Sequence, residues 1–249
     1  MLLHVRRPRA TPLAIGVHGV TSCGASLQAL DAQFPIARVD LRGHGRSGSE
    51  PPWDVATHVA DLLETAGALG LERTTWVGVS FGGLIVSTLA ARHPERVDRL
   101  VLLDPAIGLP AGAMLAQAEE DRADVTFPDA TAAVDDRMAQ GTLFTTPRAT
   151  VEAFAAEHLV PADGGGVRWN FVRSAAIVAW SEMAKAPPPV AHVPTLLVSG
   201  DRSWLDTGPL AARLEAELGD DFEHHVVPGG HSVLWDDPVA TTNAVAAFL

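Results

Sequence analysis

The stretch TTWVGVSFGGLIVSTLAARHP, residues 74–94, constrains this chain more than any other. A β-branched run leads into Gly78-Val79-Ser80-Phe81-Gly82-Gly83 and then directly into an amphipathic helix. Glycines two before and two after Ser80 allow a turn tight enough to lift a hydroxyl out of the sheet, in a backbone conformation that larger side chains would strain further. That strand-turn-helix setting is what a nucleophile elbow requires. The bare Gly-x-Ser-x-Gly pattern also arises by chance, and a serine in an ordinary Gly-rich turn would look the same, so the surrounding sequence has to carry the assignment.

It does so through its rhythm. Short β-rich runs are predicted at 2–5, 13–17, 36–41, 74–79, 97–103, 195–199 and 222–227, with helices at about 25–33, 55–69, 83–92, 207–218 and 238–248. Near-continuous apolar strands alternating with helices predict an α/β fold, a mostly parallel sheet covered on both faces. The alternation breaks once, between 106 and 190, where the chain turns Ala-rich and helical, with turns at DGGG (163–166) and PPP (187–189). The expected organisation is a core of residues 1–105 and 191–249 with an inserted helical cap at 106–190.

Bulk properties exclude other classes. With 249 residues, 47% of them hydrophobic and 19% charged, the chain can bury a sizeable core and is not a disordered one. A net charge of −12 repels a polyanion, so no nucleic-acid partner is expected. Cys23 is the only cysteine, which rules out an intramolecular disulfide and a multi-cysteine metal site; no metal and no cofactor are expected. MLLHVRRPRATPLA has too short an apolar run for a signal peptide, and no stretch approaches the length of a membrane span, so the expectation is a soluble, cytoplasmic protein with no membrane partner.

Two further stretches surround the serine with chemistry. GVHGVTS, residues 16–22, follows a strand, and a turn there can aim backbone N–H groups at a reaction centre. Val20 N–H is one candidate oxyanion donor and Phe81 N–H, at the positive end of the helix after the elbow, is the other. His18 is expected to brace this loop, and Cys23 to be a buried bystander. In HHVVPGGHSVLWDDP, residues 224–238, a strand ends in a Pro-Gly-Gly loop that presents His231 as the base. His224 and His225 lie within the strand and are read as packed or solvated.

With HGVTS, DLRGHGRSG (40–48), GVSFGG, LVLLDPA (100–106), TLLVSGD (195–201) and PGGHSVLWDDP in place, nearly the whole chain resembles the α/β-hydrolase family, in its serine-nucleophile, esterase- or thioesterase-like branch with a helical cap. The resemblance implies an eight-stranded, mostly parallel sheet. Here only one strand fits before LAIGV, so the usual first strand is expected to be missing. It also implies that Asp40 and His44 shape the turn at 40–48. Relatives that open epoxides or remove halides use an aspartate at the elbow, and epoxide hydrolases also use cap tyrosines, whereas this chain has Ser80 and no tyrosine.

That leaves acyl chemistry on a small molecule with an apolar portion: a carboxylic ester first, or a thioester or lactone, through an acyl-enzyme. The same residues would serve a carbon–carbon bond hydrolase, a cofactor-free perhydrolase, an acyltransferase, or a receptor-like binding protein that keeps them to hold a ligand. From the cap, Met114, Phe127, Met138, Phe144, Phe154, Trp169, Phe171, Trp180 and Met183 are expected to be cap core for the most part, with a subset lining an apolar pocket, and Trp204 and Leu205 are further candidates at the sheet edge; Trp169, Trp180 and Trp204 are the candidates taken forward.

The acid is the open question. Many relatives carry it three residues after the glycine of TLLVSG, where this chain has Ser203. Asp206 reads as a turn or cap residue. Asp104, at the end of the strand beside the nucleophile strand, is the first candidate, since some family members place their acid there; Asp201 is the alternative.

Overall fold

The computed structural model describes residues 1–249. Its main sheet contains β1 (Val5–Arg6), β2 (Ala14–Val17), β3 (Ile36–Val39), β4 (Thr74–Val79), β5 (Val97–Leu103), and, after an intervening segment, β8 (Thr195–Gly200) and β9 (Phe222–Val227). The seven strands lie in the order β1-β3-β2-β4-β5-β8-β9, and only β1 runs antiparallel to its neighbour. The strand expected at 2–5 is displaced to Val5–Arg6 and pairs at two positions only, Val5 with Val39 and Arg6 with Arg38. Pro8 stands two residues beyond Arg6, and a residue without an N–H cannot extend the ladder.

Helices α1 (Val55–Ala68), α2 (Phe81–Arg92), α7 (Gly208–Leu218), the short α8 (Val233–Asp236) and α9 (Pro238–Phe248) connect and cover these strands. Asp54 caps α1 by accepting from Thr57 N, and Asp237 caps α9 by accepting from Ala240 N. The segment expected to be helical at 25–33 is a 3₁₀ helix at Gly24–Ala32. None of the helices is long and apolar enough to cross a membrane.

The two-residue period of the strands divides the core between the sheet's faces. Ile15, Val17, Trp76, Leu100 and Leu102 pack with α1 and α2 on one side, while Val77, Val101, Leu103, Leu196 and Val198 pack with the 3₁₀ helix, α8 and α9 on the other. A third cluster belongs to the segment between β5 and β8, which holds α3 (Ala111–Glu120), α4 (Ala130–Ala139), α5 (Arg148–His158) and α6 (Arg173–Met183). A hairpin that the sequence pattern did not reveal, β6 (Leu159–Pro161) with β7 (Val167–Trp169), closes around the glycines at 164–166. The 40–48 loop fastens this segment to the sheet: Gly45 N donates to Asn170 O at 2.9 Å, Asn170 Nδ2 returns a bond to Gly45 O at 2.7 Å, and Val172 N donates to Gly43 O at 2.7 Å.

The sheet also fixes where a site can form. The chain leaves β2 for β3 on one side and later resumes at β4 on the other, so the loops after β2 and β4 diverge at the strands' carboxyl ends and open a crevice.

Candidate active site

Four consecutive parallel strands deliver the site. Ser80 follows β4, Asp104 follows β5, Ser203 lies just beyond β8, and His231 sits in the loop after β9. The serine is held at φ 52°, ψ −118°, and Asp104 at φ 44°, both in the left-handed region that side-chain-bearing residues avoid. The elbow's glycines are there because nothing larger fits: a Cβ on Gly78 would lie 2.5 Å from Gly82 O, and one on Gly82 would lie 2.3 Å from Val17 O. Ser80 N donates back to Leu103 O at 3.1 Å, which ties the turn to the neighbouring strand end.

These elements bring the three sequence-assigned side chains into one line. Ser80 Oγ lies 3.0 Å from His231 Nε2, and His231 Nδ1 lies 2.6 Å from Asp104 Oδ2. Asp104 is fully buried, whereas the His231 side chain keeps 16% of its exposure and so remains open to the cleft. With the ring proton on Nδ1 facing the carboxylate, Nε2 is left to accept from the serine.

Asp104 has two more partners. Ser203 Oγ donates to Asp104 Oδ2 at 2.5 Å, and Gly200 N reaches Asp104 Oδ1 at 3.3 Å. Ser203, at the position where many relatives carry the acid, therefore hydrogen-bonds the aspartate that is the first candidate for that role here. Asp201 points elsewhere: it is exposed and accepts from Gly229 N at 2.8 Å, a bond that holds its carboxyl below the ordinary carboxylate range and anchors the loop carrying His231. Asp206 accepts from Gly208 N at 3.1 Å, the turn role expected of it. His224 bonds Ser199 within the sheet, and His225 approaches Glu223; neither joins the line.

On the opposite side of Ser80, a Cβ on Gly19 would lie 3.0 Å from Ser80 Cβ, so only glycine lets the 19–20 peptide pass so close to the serine. Val20 N–H has no backbone acceptor, and Phe81 N–H, the first amide of α2, has no partner within its own helix. His18 braces this loop from within: it bonds Gly19 O through Nδ1 at 2.7 Å and accepts from Leu41 N through Nε2 at 2.9 Å, and burial pushes its pKa down to about 4. Cys23 is buried, its thiol pushed up to about 11 mainly by desolvation, which keeps it protonated and inert. Asp40 accepts from Gly24 N at 2.8 Å and Arg46 N at 2.9 Å, and His44 is buried against His18 and Phe171, both organising the loops as the sequence implied.

One residue of the site was passed over in the sequence. Asp236, in the stretch WDDP, accepts from Gly230 N at 2.7 Å, from Thr145 Oγ1 at 2.7 Å and from Thr146 Oγ1, so a single carboxylate clamps the His231 loop to the segment between α4 and α5. Gly230 N is shared with Thr145 Oγ1 at 2.9 Å.

Ser80 and His231 open into a cleft of about 170 Å³. Trp180 and Trp204 line it, the latter edge-on to the His231 ring at 5.2 Å. Trp169 does not: it is buried in the cluster between β5 and β8, stacked on Phe154 at 6.0 Å. Its assignment to the pocket is corrected, because an aromatic identity alone does not distinguish a segment's own core from the wall of its cavity; Phe127, Phe154, Phe171, Met114 and Met183 fill buried clusters, the fate expected of most of the cap's apolar residues. Leu205 is likewise buried in the main core. The cleft is also more polar than expected, since Gln117, Asp121, Arg137 and Gln140 share the wall with the tryptophans.

A family model described as the alpha/beta hydrolase fold matches residues 16–238. Lipase LipV of Mycobacterium tuberculosis is 33% identical over 256 residues, covering 99% of this chain and 96% of its own. The crystal structure of E-2-(acetamidomethylene)succinate hydrolase superposes with a TM-score of 0.87 at 25% identity, covering 99% of this chain and 94% of its own. A marine microorganism esterase superposes over the full length of both chains at 20% identity and a TM-score of 0.77, a likeness of fold.

Proposed function

The chain belongs to the α/β-hydrolase family, and on that premise we propose that it is a serine-dependent hydrolase of carboxylic esters working through an acyl-enzyme. The observation that carries this reading is the unbroken relay from Ser80 Oγ through His231 to Asp104, at 3.0 and 2.6 Å. In it His231 Nε2 takes the Ser80 proton as Oγ attacks the ester carbonyl, and Asp104 stabilises the imidazolium that results. The carbonyl oxygen, negative in the tetrahedral intermediate, moves towards Val20 N–H and Phe81 N–H; the second of these heads α2, so the helix dipole favours the same charge. Collapse expels the alkoxide, which His231 protonates. Water activated by the same ring then attacks the acyl-Ser80 ester, releasing the acid and restoring the serine.

Residues 106–190 serve as the cap over this chemistry. Trp180 from α6 and Trp204 from the sheet edge supply the apolar wall against which part of the substrate packs. Short p-nitrophenyl esters and a fluorophosphonate probe test the reading together: steady release of p-nitrophenol with labelling at Ser80 supports it. A protein that binds these esters without turning them over, or that is labelled elsewhere, refutes it.

A further inference from the structure

Arg137 is a cation in the cleft without a carboxylate of its own. It lies on α4 and lines the same cavity as Ser80, and no acidic oxygen comes within 4.0 Å of it. Its guanidinium stacks on the rings of Trp169 at 4.7 Å and Phe154 at 5.5 Å, which fixes the plane while leaving its N–H groups unspent. Its only hydrogen bonds are two long ones, both 3.5 Å, to Thr21 O. The acid nearest in the cleft, Asp121, is already engaged: Trp180 Nε1 donates to it at 2.6 Å and the Arg173 guanidinium stands 3.8 Å away. Burial lowers the Arg137 pKa to about 10, which leaves it charged at neutral pH.

A desolvated guanidinium that feels Asp121 only at a distance, with no carboxylate in contact, is unfavourable in the empty protein and is relieved by an anion that enters with the ligand. The position says which part of the ligand brings it. His231 has to protonate the leaving group, so that group lies against His231, while the acyl portion extends away along the loop of Val20 and Thr21, whose carbonyl carries the Arg137 guanidinium. We propose that Arg137 forms a carboxylate-binding subsite, and that the substrate is a half-ester of a dicarboxylic acid whose free carboxylate pairs with the Arg137 fork. A planar guanidinium presents two parallel N–H groups to a carboxylate, a geometry that an ammonium cannot match. This subsite rests on the acyl chemistry proposed for Ser80.

The test compares two five-carbon acyl esters, p-nitrophenyl hydrogen glutarate and p-nitrophenyl pentanoate, and reads the ratio of their kcat/KM values. The parent protein should favour the half-ester. Arg137→Gln should lower the ratio about 10-fold or more, chiefly through KM, and Arg137→Lys should fall between the two, since a charge-assisted hydrogen-bonded pair is worth at least that factor. A purely structural role for Arg137 would lower both rates and leave the ratio unchanged, and an unchanged ratio overturns the subsite. Calorimetric titration of glutarate into Ser80→Ala, and into Ser80→Ala combined with Arg137→Gln, reads the subsite without turnover. Binding to the first and not to the second supports the subsite even if no ester is hydrolysed, an outcome that would defeat only the reading of Ser80; no binding to the first overturns the subsite itself.

Discussion

Ser203 Oγ donates to Asp104 Oδ2 at 2.5 Å, onto the same oxygen that faces His231 Nδ1 at 2.6 Å. The strand end that often carries the acid in this family here hydrogen-bonds an aspartate carried by the strand beside it. The Ser203 and His231 side chains meet on one carboxylate oxygen, which makes the assignment open to exchange. Asp104→Asn should lower kcat/KM by about 10⁴-fold, as expected when the histidine loses its orienting carboxylate. Ser203→Ala should lower it by only about 10-fold, the loss of one hydrogen bond to a charged group. Asp104→Ser combined with Ser203→Asp should recover at least about 10-fold over Asp104→Ser alone, because a carboxylate at 203 regains part of the same charge stabilisation. Steady-state kinetics on a p-nitrophenyl ester measures all three, and an Asp201→Asn variant slower than Asp104→Asn would return the acid to the β8 turn.

Ser80→Ala should abolish turnover by at least about 10³-fold while leaving a folded protein, since it removes one hydroxyl and no core packing. Mass spectrometry of fluorophosphonate-treated protein should find the parent modified at Ser80 and the variant unmodified. Modification of Cys23 would contradict its burial.

Acid should destabilise the fold through histidines that play no part in the relay. Burial pushes the pKa values of His18 and His58 down to about 4 and that of His44 to about 3. Each is held neutral in the folded chain, while in the unfolded chain it titrates near its ordinary value, so the unfolded state takes up protons that the native state refuses as pH falls below about 6.5. Stability is therefore complete above that pH and declines towards about pH 4, by up to ~1.4 kcal/mol per pH unit for each such histidine. Urea unfolding between about pH 7 and pH 5 should show the slope, and His58→Leu should flatten it.

Asp236→Ala should uncouple the His231 loop from the segment between α4 and α5. It leaves Gly230 N–H with Thr145 Oγ1 as its one acceptor and two threonine hydroxyls without theirs. The expected loss is about 1–3 kcal/mol, a fall in Tm of a few degrees for a chain of this size, together with a drop in kcat as the ring loses its fixed position. A lowered Tm with kcat unchanged would make the clamp purely structural.

The sheet, the elbow and the three relay residues were legible because each is announced locally: a β-branched run, a glycine pair, a strand end followed by Asp-Pro or Pro-Gly-Gly. What was not legible depends on contacts between residues far apart in the chain. Ser203 read as the absence of an acid, and only its placement against Asp104, 99 residues away, gives it a task. Asp236 lies in a stretch that was read for its histidine, and its partners Thr145 and Thr146 come from another part of the fold. The β6–β7 hairpin has three residues a side, too few for a period to register. Trp169 and Trp180 look alike in sequence, yet one is buried in the segment's own core and the other faces the cleft.

Thr21, Ser80 and Asp104 are the non-glycine residues with positive φ, so the candidate serine and two residues of its site share the feature. Each such residue holds a backbone conformation worth of order 1–3 kcal/mol of strain, which glycine would relieve wherever the lost side chain contributes less than that to the fold. Ser80 and Thr21 meet that condition more nearly than Asp104, whose carboxylate is buried among partners. A laboratory selection for heat tolerance alone would therefore be drawn towards glycine at 21 and 80, and its second success would be a sturdier, inert protein. Any such campaign with this scaffold has to screen for turnover at every round.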